Sequence, residues 1–366
     1  MTIISVTSAS THSAMASSQY YVDESSLPFD PLPNHEDSTR LWGVHAGAGY
    51  RIEVPADWKG DLVMWTHGLR VGQDRLALLP PGQQLILREY LLDNGYAWAA
   101  STYSKNDYHV SRAVKDTRIL ATHFNALVDN PQRVYIVGRS MGAHVAALSV
   151  EKYPDFYAGA LPVCGGLNGL ETFDFALDVN LGAQQIALGQ SSWPVDPDTY
   201  YTTTLPQIQM NLEAAPGSWP FVLNADGEAF KQMLELRSGG DRANYDQAWL
   251  LYNLLPGFIS GGQGNFLFEL GPYLVSSLPR PEALDNTDVV YQTDLDPALS
   301  AEEQALNDAI FQVAAEPGTR VDDGLSEAHV PPLTGNIAVP VLTMHNLGDL
   351  AAPFQAEIDY YHAVEA

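Results

Sequence analysis

Cysteine is almost absent from this 366-residue chain, where Cys164 stands alone. That excludes an intramolecular disulfide. In LPVCGG the thiol has no basic neighbour, so it reads as a buried small residue at a strand end rather than as a reactive group. Long apolar runs are missing as well: nothing approaches the roughly 20 residues that a membrane span needs. Basic residues are scarce, with Lys plus Arg at 18 against 44 Asp plus Glu, a net charge of −26 and a pI near 4.5. A field of that sign repels nucleic acid and anionic membranes, so no nucleic-acid partner is expected. The same acidity fits a saline habitat, or a protein secreted into an acid one. The opening MTIISVTSASTHSAMASSQYY lacks the basic start and sustained apolar stretch of a signal peptide. Residues 1–40 read as a flexible lead-in. No internal repeat is visible.

What is present describes a globular chain able to bury a large core, with 46% hydrophobic and 17% charged residues. Apolar strand patterns at Tyr50–Val54, Asp61–Thr66, Tyr96–Tyr103, Arg133–Val137 and Ala158–Val163 alternate with helical ones at Gly82–Leu92, Ser111–Val128 and Met141–Lys152. This alternation predicts an α/β fold with a mostly parallel central sheet. From Gly165 to Ala338 it fails, and the clearest pieces are helical, at Glu228–Leu236 and at Ser300–Ala315 behind a capping box of Ser300 and Glu303. ISGGQG, Ile259–Gly264, reads as a mobile loop. A strand returns at Val339–Met344, and a helix runs from Phe354 to the end. The expected division is an α/β core of residues 41–165 and 339–366, with 166–338 as a large, mainly helical lid.

Within VYIVGRSMGAHVAAL the apolar run stops at Gly138-Arg-Ser140-Met-Gly142 and restarts with helix formers. A strand turning sharply into a helix needs small residues on both sides of the turn, and such a turn exposes the Ser140 hydroxyl beside free helix N–H groups. Ser140 is therefore the candidate nucleophile. A serine needs a base, an acid to orient the base, and donors for the developing oxyanion. The Met141 N–H is one candidate donor, and the Leu69 N–H, on the loop Thr66-His67-Gly68-Leu69, is the second. Asp349, just past the late strand in VPVLTMHNLGDLAAP, is the candidate acid, ahead of Asp174 and Asp178.

HG after one strand, GRSMG after another and LGDLAAP after a late one, in that order, resemble the α/β-hydrolase superfamily over about residues 50–165 and 339–366. GYAWAASTYSKNDYHV, GRSMGAHVA and the long insertion are similar to bacterial secreted or periplasmic serine esterases of the feruloyl-esterase, tannase and polyester-depolymerase kind. The resemblance implies an α/β-hydrolase fold with a Ser-acid-His triad and an acyl-enzyme intermediate. It further implies a small-molecule or polymeric ester as substrate, no metal, no cofactor, and a secreted or periplasmic location. It does not fix the ester.

The base departs from the family pattern. In this fold the histidine follows one more strand beyond the acid, and only 354–366 remain. His362 comes too soon, His345 sits beside the acid, His144 lies in the nucleophile helix and His67 on the oxyanion loop, and His329 is the remaining alternative. The expectation is a longer protein whose catalytic histidine lies beyond Ala366. The aromatic residues Trp193, Tyr200, Tyr201, Trp219, Phe221, Trp249 and Tyr252 are read either as a substrate pocket or as the lid's own core.

Overall fold

Strand β4 (Asp61–Thr66) is buried on both faces, and its two sets of alternate side chains reach different cores. Leu62 and Met64 pack with Phe124, Ile136 and Val150, whereas Val63 packs with Leu27, Leu91 and Trp98. Successive side chains of a strand point to opposite faces, so a strand covered on both sides reads as an unbroken apolar run. The computed structural model describes residues 20–78, 85–257, 261, 262 and 264–366. Ile259, Ser260 and Gln263 of the ISGGQG stretch lie outside the described residues.

In chain order the strands are β1 (Tyr21–Val22), β2 (Thr39–His45), β3 (Ala48–Val54), β4, β5 (Arg75–Leu76), β6 (Ala97–Ser101), β7 (Arg133–Arg139) and β8 (Gly159–Val163). The main sheet has the order β2-β3-β6-β4-β7-β8. β2, β3 and β6 pair antiparallel, and β6, β4, β7 and β8 are parallel. Helix α1 (Leu85–Asp93) covers one face, α2 (Val110–Leu127) and α3 (Met141–Lys152) the other. The late strand expected at Val339–Met344 lies alongside β8 as two parallel bridges, Ala160 with Val341 and Val163 with Met344. Pro162 and Pro340 have no N–H to give, which shortens the ladder there. Leu342 and Met344 are exposed on this strand, at 66% and 54%.

The expected lead-in is in fact built into the fold from residue 20. β1 pairs with β5, Leu27 and Leu32 are buried, and β2 begins at Thr39. Arg51 donates to the carbonyls of Leu27 and Ser26, each at 2.7 Å. Arg88 pairs with the fully buried Glu53, whose carboxylate also accepts from Ser38 and Trp98. Residues 1–19 lie outside the described residues.

After β8 the chain is helical over much of 171–309, starting with α4 (Glu171–Leu188), which is buried from Thr172 to Gln184. A helix buried all round is the centre of a core. Phe173, Leu177 and Leu181 belong to one cluster with Phe230, Trp249 and Phe268. Tyr200 and Tyr201 are buried in the same core, whereas Phe221 is 63% exposed. The helix expected at Ser300–Ala315 spans only Ala301–Ala309, although its capping box forms as anticipated. Ile310 is extended because its buried side chain turns inward to the 171–309 core.

Candidate active site

The elbow after β7 is enforced by contact. A Cβ on Gly138 would stand 2.0 Å from the Gly142 carbonyl oxygen, and one on Gly142 would stand 2.0 Å from that of Thr66. The Thr66 hydroxyl locks the crossing by donating to the Gly142 carbonyl at 2.8 Å. Between the glycines Ser140 takes φ 57° and ψ −128°, a conformation that side-chain-bearing residues rarely adopt. Its N–H donates to the Val163 carbonyl, which ties the turn to β8. The side chain is left exposed at the start of α3, where Met141 occupies the first helical position. The loop after β4 passes alongside: a Cβ on Gly68 would lie 3.7 Å from Ser140 Oγ, and Leu69 follows, half-buried.

Ser140 and Asp349 line one cavity of about 610 Å³. Asp349 sits in the turn after the late strand, where its N–H bonds to the Asn346 carbonyl. Its Oδ1 accepts three hydrogen bonds, from Tyr252 Oη at 2.8 Å, Ala351 N–H at 2.9 Å and Ala352 N–H at 3.1 Å. Three donors on one oxygen fix the carboxylate and leave Oδ2 for another partner. Asp174 and Asp178, the weaker candidates for the acid, line other ground: Asp174 meets Arg320 and Asp178 meets Arg237 and Tyr291. Burial pushes both carboxyls up from their ordinary range, Asp174 to about 8.

The histidines lie elsewhere. His144 is fully buried in α3, donating from Nε2 to the Pro331 carbonyl and accepting from Tyr108 Oη at Nδ1. His67 is stacked on Tyr103, with Nδ1 on the Gly68 carbonyl. Burial lowers both rings to about 4 and keeps them neutral. His329 pairs with Asp323 at 2.5 Å, and His345 bonds the Ala352 carbonyl and faces Glu357. No histidine among the described residues lines the cavity with Ser140.

Sequence reasoning missed Tyr252 as the partner of Asp349, since nothing local joins a helix at 245–254 to a turn at 346–352. Of the aromatic residues singled out as a pocket, Tyr252 lines the cavity and Trp249 and Tyr200 are core. Cys164, at the mouth of β8 with φ 47°, also lines it, half-buried, and burial pushes its thiol up. Among the described residues there is no cluster of His, Cys, Asp and Glu suited to a metal ion, and no helix is long and apolar enough to cross a membrane.

The sheet order, the parallel strands and the sharp turn at Ser140 make this an α/β-hydrolase fold with a mostly parallel central sheet. No family model and no curated protein matches the chain. Solved structures with partial likeness include an arylesterase, 15% identical, covering 50% of this chain and 63% of its own, with TM-score 0.31. An esterase of Pyrococcus furiosus is 14% identical, covering 42% and 60%, with TM-score 0.32. An acetyl xylan esterase of Aspergillus awamori is 16% identical, covering 35% and 52%, with TM-score 0.28. In each case the match spans less than two thirds of the solved chain.

Proposed function

We propose that the chain is a serine-dependent carboxylic-ester hydrolase working through an acyl-enzyme, with Ser140 as nucleophile and Asp349 as the acid that orients the base. The observation that carries this reading is the shared cavity: a strained, exposed serine at a helix start lines it together with a carboxylate already fixed by three donors. Ser140 Oγ attacks the acyl carbon while its proton passes to the base. The ester C–O bond breaks, and the alcohol leaves with that proton. Water then adds to the acyl carbon, the bond to Oγ breaks, and the carboxylic acid departs as Oγ regains a proton. The N–H groups of Met141 and Leu69 hold the oxyanion in both steps. The described lining residues include Ser140 and Asp349 and no histidine to act as the base.

Leu251, Leu255 and Phe266 give the cavity an apolar wall, which supports apolar or aromatic esters as substrates. These residues come from 166–338, the segment we assign as a lid over the 41–165 and 339–366 core. A rival reading, a binding protein that has lost catalysis, draws on the lack of a histidine among the described residues that line the cavity with Ser140. Labelling with a fluorophosphonate separates the two. Stoichiometric labelling that vanishes in Ser140→Ala supports the hydrolase. An unlabelled protein that also fails to turn over 4-nitrophenyl esters, with or without added imidazole, sinks it.

A further inference from the structure

Arg139, the residue before the nucleophile, lines the same cavity as Ser140 and Asp349 and is exposed there. It is the one Lys or Arg among the described lining residues. Cations are scarce in this chain, 18 against 44 carboxylates, and many are claimed. Arg88 pairs with Glu53, Arg133 with Asp61, Arg237 with Asp178 and Arg320 with Asp174. Arg139 has no carboxylate partner among the described residues, even though Asp349 shares its cavity. Leu251, Leu255 and Phe266 give the same cavity apolar lining.

A guanidinium offers a planar fork that fits a carboxylate with two parallel hydrogen bonds. Neighbouring Cα atoms stand about 3.8 Å apart, so the fork of Arg139 serves a group only a few bonds from a carbonyl held at Ser140. The negative field of the whole molecule works against an anionic ligand, but salt screens it beyond about 8–10 Å, and the contact cation prevails at short range. Resting on the ester-hydrolase reading of this site, we propose that Arg139 determines specificity by receiving the free carboxylate of an acidic ester, a monoester of a dicarboxylic acid, whose acyl carbonyl lies at Ser140 and whose methylene chain lies on the apolar wall.

The test compares mono-4-nitrophenyl adipate with 4-nitrophenyl hexanoate, which have the same acyl length with a carboxylate in place of a methyl. In a Ser140→Ala background, calorimetric titration is expected to show the adipate ester binding about tenfold tighter. That ratio should fall to about one when Arg139→Gln is added and be partly kept with Arg139→Lys. Equal affinity for the two esters, or an adipate advantage that survives Arg139→Gln, overturns the proposal. The two readings fail separately. A wild-type protein that hydrolyses neither ester, with or without imidazole, yet whose adipate preference depends on Arg139, keeps the binding inference and loses the hydrolase. Hydrolysis of both esters at the same kcat/KM, with equal binding, keeps the hydrolase and loses the inference.

Discussion

Tyr252 Oη donates to Asp349 Oδ1 at 2.8 Å, and this bond joins the helical segment after β8 to the turn beyond the last strand of the sheet. Tyr252 is mostly buried, and burial together with the carboxylate pushes its phenol well above the ordinary range, so it stays protonated as a donor. Tyr252→Phe removes one of three bonds to Oδ1 and should cost about 1 kcal/mol of stability. It should also lower kcat on a 4-nitrophenyl ester by about tenfold, because the carboxylate is left less firmly placed. Unchanged kcat would show that the two N–H donors suffice.

Ser140→Ala should lower ester turnover by orders of magnitude with little change in melting temperature, since the alanine inherits the same backbone. Ser140→Gly should do likewise but melt higher. Glycine adopts φ 57°, ψ −128° freely, and relief of the strain is worth on the order of 1 kcal/mol. A glycine variant no more stable than the alanine one would show that the turn is unstrained.

Imidazole in solution is expected to raise the rate at Ser140. His144, His67, His329 and His345 are engaged at Pro331, Gly68, Asp323 and Ala352, while the cavity that Ser140 and Asp349 line measures about 610 Å³, roomy enough for a small base. Turnover of 4-nitrophenyl hexanoate should climb with imidazole beyond the uncatalysed rate, and should not do so in Ser140→Ala. An equal climb in both would assign the effect to solution chemistry.

Acid should destabilise the fold through His67 and His144. Both titrate near 4 in the folded protein against an ordinary 6.5, so the unfolded chain binds more protons between those values. The stability they confer is complete above pH 6.5 and is lost as pH falls toward 4, at about 3 kcal/mol per ring. Self-repulsion relaxes toward the pI near 4.5 and acts in the opposite sense, so the difference between variants is the measure. His144→Gln, which keeps a donor for the Pro331 carbonyl, should flatten the urea-derived stability curve over pH 4 to 6.5 relative to wild type. Parallel curves would refute the linkage.

Glu53→Ala should cost about 3–5 kcal/mol, because Arg88, only 8% exposed, is left charged and unpaired under the sheet. Replacing both, Glu53→Leu with Arg88→Met, should recover most of that in urea unfolding. A double variant no better than the single would mean that the ion pair itself is irreplaceable.

Where one local rule sufficed, the sequence was readable. β4 and α3 span the residues that their apolar runs and the two elbow glycines indicate, and the capping box at Ser300 forms. The helix behind that box stops at Ala309 because tertiary burial of Ile310 outweighs helical spacing further on. At Val341–Met344 two prolines trimmed a ladder that hydrophobicity alone would have made longer. The placement of Tyr252 on Asp349, 97 residues away, depends on how 171–309 packs, and no periodicity encodes that. The lead-in was misjudged for a similar reason. The Ser/Thr/Ala bias of the opening residues was carried on to residue 40, whereas from residue 20 Arg51 and Arg88 supply partners from far along the chain.

Those arginines set a practical limit on handling the protein. Arg51 reaches the carbonyls of Ser26 and Leu27, Arg88 reaches that of Asp30, and both guanidinium groups lie over the ring of Phe29. Main-chain carbonyls cannot be replaced by choosing another side chain. A shortened form that starts at the sheet, near Thr39, would strip these cations of their acceptors and uncover the apolar surface around Val63 and Trp98 that Leu27 and Leu32 cover. Affinity tags and trimming sites therefore belong upstream of Tyr20, and a crystallographer seeking a minimal domain gains nothing by cutting closer.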